Sequence, residues 1–313
     1  MIPDAHSEEE FRVYFSGMKC RTEYERIGYG LARFPLMRLA RLFAKRGRLI
    51  SAYGASCIGS RSQQQDALLF GDTVIPAAGR NGDASGGEIE TWQRSCCLPS
   101  VFAVADGMGG CNAGCVASTL CVETIRDGCS QIADDASIEC MADAVRDAIE
   151  RANRRIVEYG NENPGCRGMG TTLVALAVCE DGCRAFNLGD SRAYLFRDGA
   201  LSRLSKDHTA FQRALDLNLP FAGKGNLSEG GGLTRYLGQG DSTFAAQAYE
   251  ACFERDSAFV LLCSDGLTKA LDDREIESLL VGADDPMACC CGLVSRAASI
   301  DESDNVSVLL VKV

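Results

Sequence analysis

The chain of 313 residues predicts an α+β fold, with antiparallel sheets at the centre and helices outside. Three observations carry that reading. Short apolar, β-branched runs recur from Ala52 onward, hairpin dipeptides join two pairs of them, and amphipathic helices are interspersed. The runs are Val101–Ala105, Thr172–Cys179, Arg184–Leu188, Arg192–Arg197, Ala258–Cys263 and Val306–Val313. Asp181-Gly182 and Asp198-Gly199 follow such runs, and an Asp-Gly pair readily adopts the positive φ of a tight hairpin turn. Consecutive hairpins favour antiparallel sheets over a strand–helix–strand alternation. Ser137 is placed to cap a helix whose apolar stripe runs Ile138, Met141, Val145, Ile149, Ala152 and Ile156. Pro286 opens another helix, Met287 to Ile300, because a proline in the first turn gives up no intrahelical hydrogen bond.

Two stretches break the pattern. Gly71–Ser100 and Ala222–Gly232 are polar, Gly-rich and without periodicity, so both read as long loops. Residues 1–50 read as an N-terminal extension of a domain spanning 51–313. The extension starts acidic (Glu8, Glu9, Glu10) and turns basic from Arg33 to Arg48, with six Lys/Arg and no acid. Within it Leu36, Leu39, Leu42 and Phe43 recur near helical spacing. The simpler reading is a helix packed on the main domain with a solvated basic side; the sharper one is a helix that meets a membrane surface or an acidic partner.

Composition narrows the function. Hydrophobic residues at 46% and charged residues at 24% describe an ordinary soluble protein. A net charge of -11 opposes broad binding to nucleic acid and suits a protein that gathers cations. No uncharged apolar stretch approaches the ~18 residues of a bilayer span. The opening MIPDAHSEEEF lacks the basic and apolar regions of an export signal, so a cytoplasmic location is expected. There are 17 cysteines, an odd number, and reduced thiols are the expected state. Cys111/Cys115 and Cys179/Cys183 have a spacing that permits zinc without specifying it, and burial as small hydrophobes is the simpler account. The Cys289–Cys291 run reads as a helix face. With only His6 and His208 available, a catalytic metal must lean on oxygen ligands.

The chemistry is written in where the aspartates fall. Asp106 and Asp265 each end an apolar run and precede Gly, Asp190 follows Arg184–Gly189, and Asp304 immediately precedes the final run. One Asp before Gly is ordinarily a turn residue. Four at the ends of strands that share a core can be aimed at one point. Carboxylates brought together raise one another's pKa unless a cation neutralises them. Hard oxygen ligands select Mg²⁺ or Mn²⁺, and a pair of such ions bridged by a carboxylate is a recurrent device for hydrolysing phosphate esters. A phosphate substrate also calls for a planar cation, which arginine supplies.

These same residues carry a resemblance. VFAVADGMGGCNAG (Val101–Gly114) resembles the DGMGG segment of bacterial metal-dependent protein phosphatases of the PP2C (PPM) family. Further segments follow in family order: GSRSQQQD (Gly59–Asp66), GMGTTLVAL (Gly168–Leu176), NLGDSRAYLFRDGAL (Asn187–Leu201), LSKDHT (Leu204–Thr209), LTRYLG (Leu233–Gly238), LLCSDGL (Leu261–Leu267) and SDNVSVLLV (Ser303–Val311). The resemblance implies a four-layer α/β/β/α sandwich of two antiparallel sheets flanked by helices, with two Mn²⁺ or Mg²⁺ in a cleft at one end. It implies that Asp106 bridges the two ions, that the Gly107 carbonyl completes one coordination sphere, and that Asp265 and Asp304 hold the other ion. Asp190 would serve with Asp265 at a third, weaker metal site, Asp66 would order bound water, and Arg61 would grip the substrate phosphate. The implied activity is hydrolysis of phosphoserine and phosphothreonine in proteins, by activated water and with no covalent phosphoenzyme. The implied partners are phosphoprotein substrates of a Ser/Thr kinase, met by a monomer, and Ala210–Gly232 corresponds to a flap beside the site.

The chain departs from the family at several points. Gln64 stands where Asn is more usual, and Cys111 and Cys115 stand where His and Glu are common. Met108 replaces a histidine that eukaryotic members use as general acid, so proton delivery to the leaving group has no assigned side chain. His208 reads as structural. Two other functions stay open: a catalytically inactive binding or regulatory module, and a phosphohydrolase of small molecules. Retention of Asp106, Asp265, Asp304 and Arg61 favours an enzyme.

Overall fold

The computed structural model describes residues 49–77, 88–109, 113–218, 232–240, 248–256, 258–282 and 285–313. The basic segment Leu36–Phe43, Cys111 and most of the Ala222–Gly232 stretch lie outside these residues.

Thirteen strands form two antiparallel sheets among the described residues. The first sheet contains β1 (Leu49–Cys57), β4 (Ile89–Cys97), β9 (Arg192–Arg197), β10 (Ala200–Arg203), β12 (Phe259–Cys263) and β13 (Val306–Lys312), in the order β10-β9-β12-β13-β1-β4. The second contains β2 (Asp66–Phe70), β3 (Thr73–Ile75), β5 (Ser100–Met108), β7 (Leu173–Cys179), β8 (Gly182–Leu188) and β11 (Tyr249–Phe253), ordered β11-β8-β7-β5-β2-β3, with β6 (Gly170–Thr171) pairing β5. Asp198 and Gly199 both adopt positive φ, 52° and 79°, in the β9–β10 hairpin, as the Asp-Gly reading requires.

Six α-helices complete the described fold: α1 (Ala113–Cys129), α2 (Ile138–Glu162), α3 (Ala210–Asp216), α4 (Asp265–Ala270), α5 (Asp273–Val281) and α6 (Pro286–Ile300). Ser137 caps α2 by accepting from the Cys140 N–H, and Pro286 sits in the first turn of α6. None is long and apolar enough to cross a membrane.

The sandwich is held by three apolar layers. Between the sheets lie Leu68, Phe70, Phe102, Val104, Val174, Leu262, Leu309 and Val311. Alternate residues of the same strands face outward, Ala103, Ala105 and Leu69 against α1 and α2, and Leu261, Val308 and Leu310 against α4 to α6. The layers thus run helix, sheet, sheet, helix. Burial on both faces explains why the strands read as unbroken apolar runs. Each fully buried Leu, Val or Phe contributes about 1.5–3 kcal/mol.

Gly71–Ser100 is not one long loop, because β3 and β4 lie within it. Both are edge strands, and β4 is largely exposed, so polar residues there give no signal for burial. All cysteines among the described residues are free. Cys179 and Cys183 enter different apolar layers, one beneath α2 and the other between the sheets. Cys289 and Cys290 are buried in α6.

Candidate active site

Strand register brings the aspartates to one end of the sandwich. Asp66 opens β2 and pairs directly with Asp106 near the end of β5. In the other sheet β12 runs antiparallel to β13, so Asp265, just past the end of β12, is next to Asp304, just before β13 begins. Asp190 lies in the β8–β9 connection, and β9 pairs with β12 so that Arg192 faces Cys263. Hydrogen bonds join the two sheets at this end: the buried Ser264 hydroxyl donates to Asp66 Oδ2 at 2.8 Å and accepts the Ser307 N–H at 3.0 Å.

The backbone beneath the cluster is clamped by the remaining motifs. The Asp106 carbonyl accepts from the Thr171 hydroxyl at 2.9 Å and the Thr172 N–H at 2.8 Å. The Thr172 hydroxyl is 2.7 Å from that of Ser191, in the turn that presents Asp190. Gly189 starts this turn at φ +102°, and an added Cβ would lie 2.6 Å from Thr172 Cγ2, so only glycine fits. His208 props the turn from behind: its Nδ1 accepts the Gly189 N–H at 3.1 Å, and its backbone N–H donates to the Gly189 carbonyl at 2.8 Å. Burial pushes the His208 imidazole down to about 4, so it is neutral and structural. Gly107 follows Asp106 where a Cβ would sit 2.0 Å from the Gly114 carbonyl oxygen, which explains why α1 can pack so close beneath the site.

The segment carrying Arg61 is tied to the opposite sheet through Asn305. Its side chain accepts the Gln65 N–H at 2.8 Å and donates to the Ile58 and Gln63 carbonyls at 2.9 and 3.1 Å. Arg61 Nε donates to the Ser303 carbonyl at 2.9 Å, and Nη2 lies 2.8 Å from Asp304 Oδ1. Gln64 bonds the Ser56 hydroxyl and accepts the Asp66 N–H through Oε1, fixing the start of β2. Cys115 is buried and donates toward the Gln64 carbonyl at 3.2 Å. Met108 is part of β5, paired with Gly170, and brings no acid to the site.

Electrostatics mark the cluster. Removal from water, with neighbouring carboxylates adding to it, raises Asp66 and Asp190 to about 7 and pushes Asp106 well above its ordinary range. Asp265 is raised too, chiefly by removal from water and against the pull of Lys269. Asp66 Oδ1 and Asp265 Oδ1 are buried with no hydrogen-bond partner. Acceptors that face acceptors are satisfied by a cation, and an all-oxygen donor set of this kind fits Mg²⁺ or Mn²⁺. Lys269 was not legible as a site residue; it reaches Asp265 and Asp304 from α4, at 2.6 and 2.9 Å. Its signal is the four-residue step from Asp265, visible only once Asp265-Gly266 is known to open a helix rather than a turn. A concavity of about 470 Å³ between α1 and α2, lined by Arg151, Arg154 and Arg155, shares no residue with this cluster.

Comparison with known proteins agrees with the geometry. The family model described as protein phosphatase 2C matches residues 53–288. The serine/threonine phosphatase stp of Listeria welshimeri is 31% identical over 213 residues, covering 68% of this chain and 84% of the relative. Among solved structures, PppA of Pseudomonas aeruginosa, described as a key regulatory component of T6SS, is 30% identical, with TM-score 0.62 over 84% of this chain and 99% of that one. The catalytic domain of the serine/threonine protein phosphatase PstP, solved with two manganese ions, is 26% identical, with TM-score 0.64 over 84% and 98% of the two chains. Two face-to-face sheets between helices are thus shared with these solved structures, and the chain belongs to the protein phosphatase 2C family.

Proposed function

We propose that the chain hydrolyses phosphoserine and phosphothreonine in proteins, with water as the attacking group and no covalent phosphoenzyme. The observation that carries this is the meeting of Asp66, Asp106, Asp190, Asp265 and Asp304 beside Arg61, drawn from two sheets to one end of the sandwich. Asp106, the Gly107 carbonyl, Asp265 and Asp304 would hold two Mn²⁺ or Mg²⁺. When bound, such ions make water easier to deprotonate and neutralise phosphate charge. Arg61, exposed enough to turn, exchanges Asp304 for the phosphate oxygens, where its planar guanidinium can bind two at once. Asp66 is held by Ser264 through one oxygen and keeps the other, Oδ1, to accept from water and orient it.

Direct attack by water is supported by what the site's own side chains are committed to. The Ser264 hydroxyl is buried and spent on Asp66, and the His208 Nδ1 is spent on Gly189, so neither offers a nucleophile–base pair. Substrates of this chemistry are products of a Ser/Thr kinase, and the net charge of -11 disfavours nucleic acid as an alternative source of phosphate. A single-turnover reaction with a phosphothreonine peptide and Mn²⁺ in ¹⁸O-labelled water tests the proposal. One labelled oxygen in the released phosphate, no phosphate retained on the denatured protein, and loss of turnover with EDTA are expected. Phosphate trapped on the protein would overturn the direct mechanism.

A further inference from the structure

One cation already sits among the carboxylates. Lys269 lies four residues after Asp265 in α4, on the same helix face. Its Nζ is 2.6 Å from Asp265 Oδ2 and 2.9 Å from Asp304 Oδ2, so one ammonium spans the ends of β12 and β13. Arg61 takes Asp304 Oδ1 at 2.8 Å. Both oxygens of Asp304 and one of Asp265 are therefore engaged by cationic side chains, and Asp265 Oδ1 is the buried atom left without a partner. Among the described residues, no three His, Cys, Asp or Glu side chains converge to enclose an ion as they stand. Lys269 and Arg61 instead take up negative charge of Asp265 and Asp304. Lys269 also acts electrostatically on Asp190, the remaining carboxylate of the β9–β12 corner.

We propose that Lys269 is a tethered counter-cation that competes with divalent metal for Asp265 and Asp304. The inference rests on the phosphatase reading, which supplies the metal. An ammonium and a divalent ion on the same carboxylates repel each other and compete for the same negative charge, so an entering ion weakens or displaces the lysine's contacts and binds more weakly for it. In the metal-free chain the ammonium relieves repulsion among the aspartates and keeps this end of the sandwich closed. The lysine is suited to leaving: its side chain is 45% exposed, so the displaced ammonium can swing into water and be solvated there. Arg61 differs, because a substrate phosphate offers its guanidinium a second partner once it leaves Asp304.

Calorimetric titration of the full chain with Mn²⁺ alone tests this, with Lys269→Met and Lys269→Arg beside wild type. Lys269→Met is expected to bind Mn²⁺ about tenfold more tightly, a gain of about 1.4 kcal/mol, and to melt at a lower temperature without metal. Lys269→Arg keeps the charge and should stay near wild type in affinity and stoichiometry. A second measurement needs no variant. Acetylation of the Lys269 amine in the wild-type chain, followed by mass spectrometry, should increase when Mn²⁺ is added. Unchanged or weaker Mn²⁺ binding by Lys269→Met, or Lys269 labelling that does not respond to Mn²⁺, overturns the proposal. So does a raised KM for a phosphopeptide with unchanged Mn²⁺ affinity, which would place the lysine on the substrate. Failure of wild type itself to take up Mn²⁺ is the separate result that removes the phosphatase reading and this inference together.

Discussion

Two clusters of charge, at different places on the second sheet, are built on opposite rules. At the β8–β11 edge, Glu250 is gripped by Arg146 through both oxygens at 2.6 and 2.7 Å, and Arg184 joins it while pairing with Glu139. The Arg146 hydrogen bonds hold the Glu250 carboxyl below its ordinary range, so it stays charged. At the β2–β5 end, Asp66 and Asp106 face each other across a register pair, with Asp265 and Asp304 opposite. There removal from water and like charge raise the carboxyls instead. The first arrangement is complete within the chain and serves packing. The second is left short of positive charge, the deficit on which the proposed binding of ions and phosphate rests.

The contrast can be broken at its strongest point. Asp106→Asn keeps the side-chain shape but removes the charge proposed to bridge two ions, so kcat should fall by at least ~10³-fold. Mn²⁺ titration should show loss of tight binding; a variant that binds two Mn²⁺ and turns over like wild type would refute the assignment. Arg61→Ala should retain Mn²⁺ binding yet raise KM and lower kcat, together by ~10–10²-fold in kcat/KM, because only the grip on phosphate is lost.

Stability separates the clusters further. Glu250→Gln leaves Arg146 and Arg184 without their shared anion and should cost about 1 kcal/mol, read as a Tm lower by about 2–4 °C with turnover unchanged. A Tm drop that also abolished Mn²⁺ binding would show that the clusters are coupled. Asp190→Asn should do the reverse in metal-free protein. Asp190 has its carboxyl pushed to about 7 in the folded chain against an ordinary 3.8, so the folded state holds the proton more tightly. The stability this contributes is full below 3.8 and is lost as pH rises through about 7. Removing the carboxyl should therefore raise Tm by about 2 °C or more above pH 7 and have little effect near pH 4. A pH-independent difference would show that Asp190 is not raised.

Much of this was legible in sequence because the site is anchored where strands end. Asp106, Asp190, Asp265 and Asp304 are visible as acids closing or preceding apolar runs, and the register places them together. What stayed hidden has local physical causes. β3, β4 and β11 are edge strands, so one side of each has no partner strand among the described residues and the usual hydrophobic alternation is weak. β1 is interior but written in small residues, since Gly54 must admit Phe70: a Cβ there would be 2.5 Å from the ring. Lys269 was hidden because α4 is a helix of six residues opening on Asp-Gly, a dipeptide that reads as a turn. The metal roles themselves came from resemblance, since spacing alone says only that carboxylates meet.

The hydrogen bond from Ser264 to Asp66 has a consequence for how such a protein can drift. It crosses between sheets whose spacing is set by Phe70, Phe102, Leu262 and Leu309, interior residues on the strands that lead to or from the site aspartates. Sheets packed face to face lie ~10 Å apart, a distance fixed by side-chain volume. The interior filling is thus the ruler that sets the gap between Asp106 on one sheet and Asp265 on the other. An exchange of Phe102 for a smaller residue is, for this fold, a change of catalytic geometry, and substitutions in the interior become tolerable mainly in compensating pairs that keep its thickness constant.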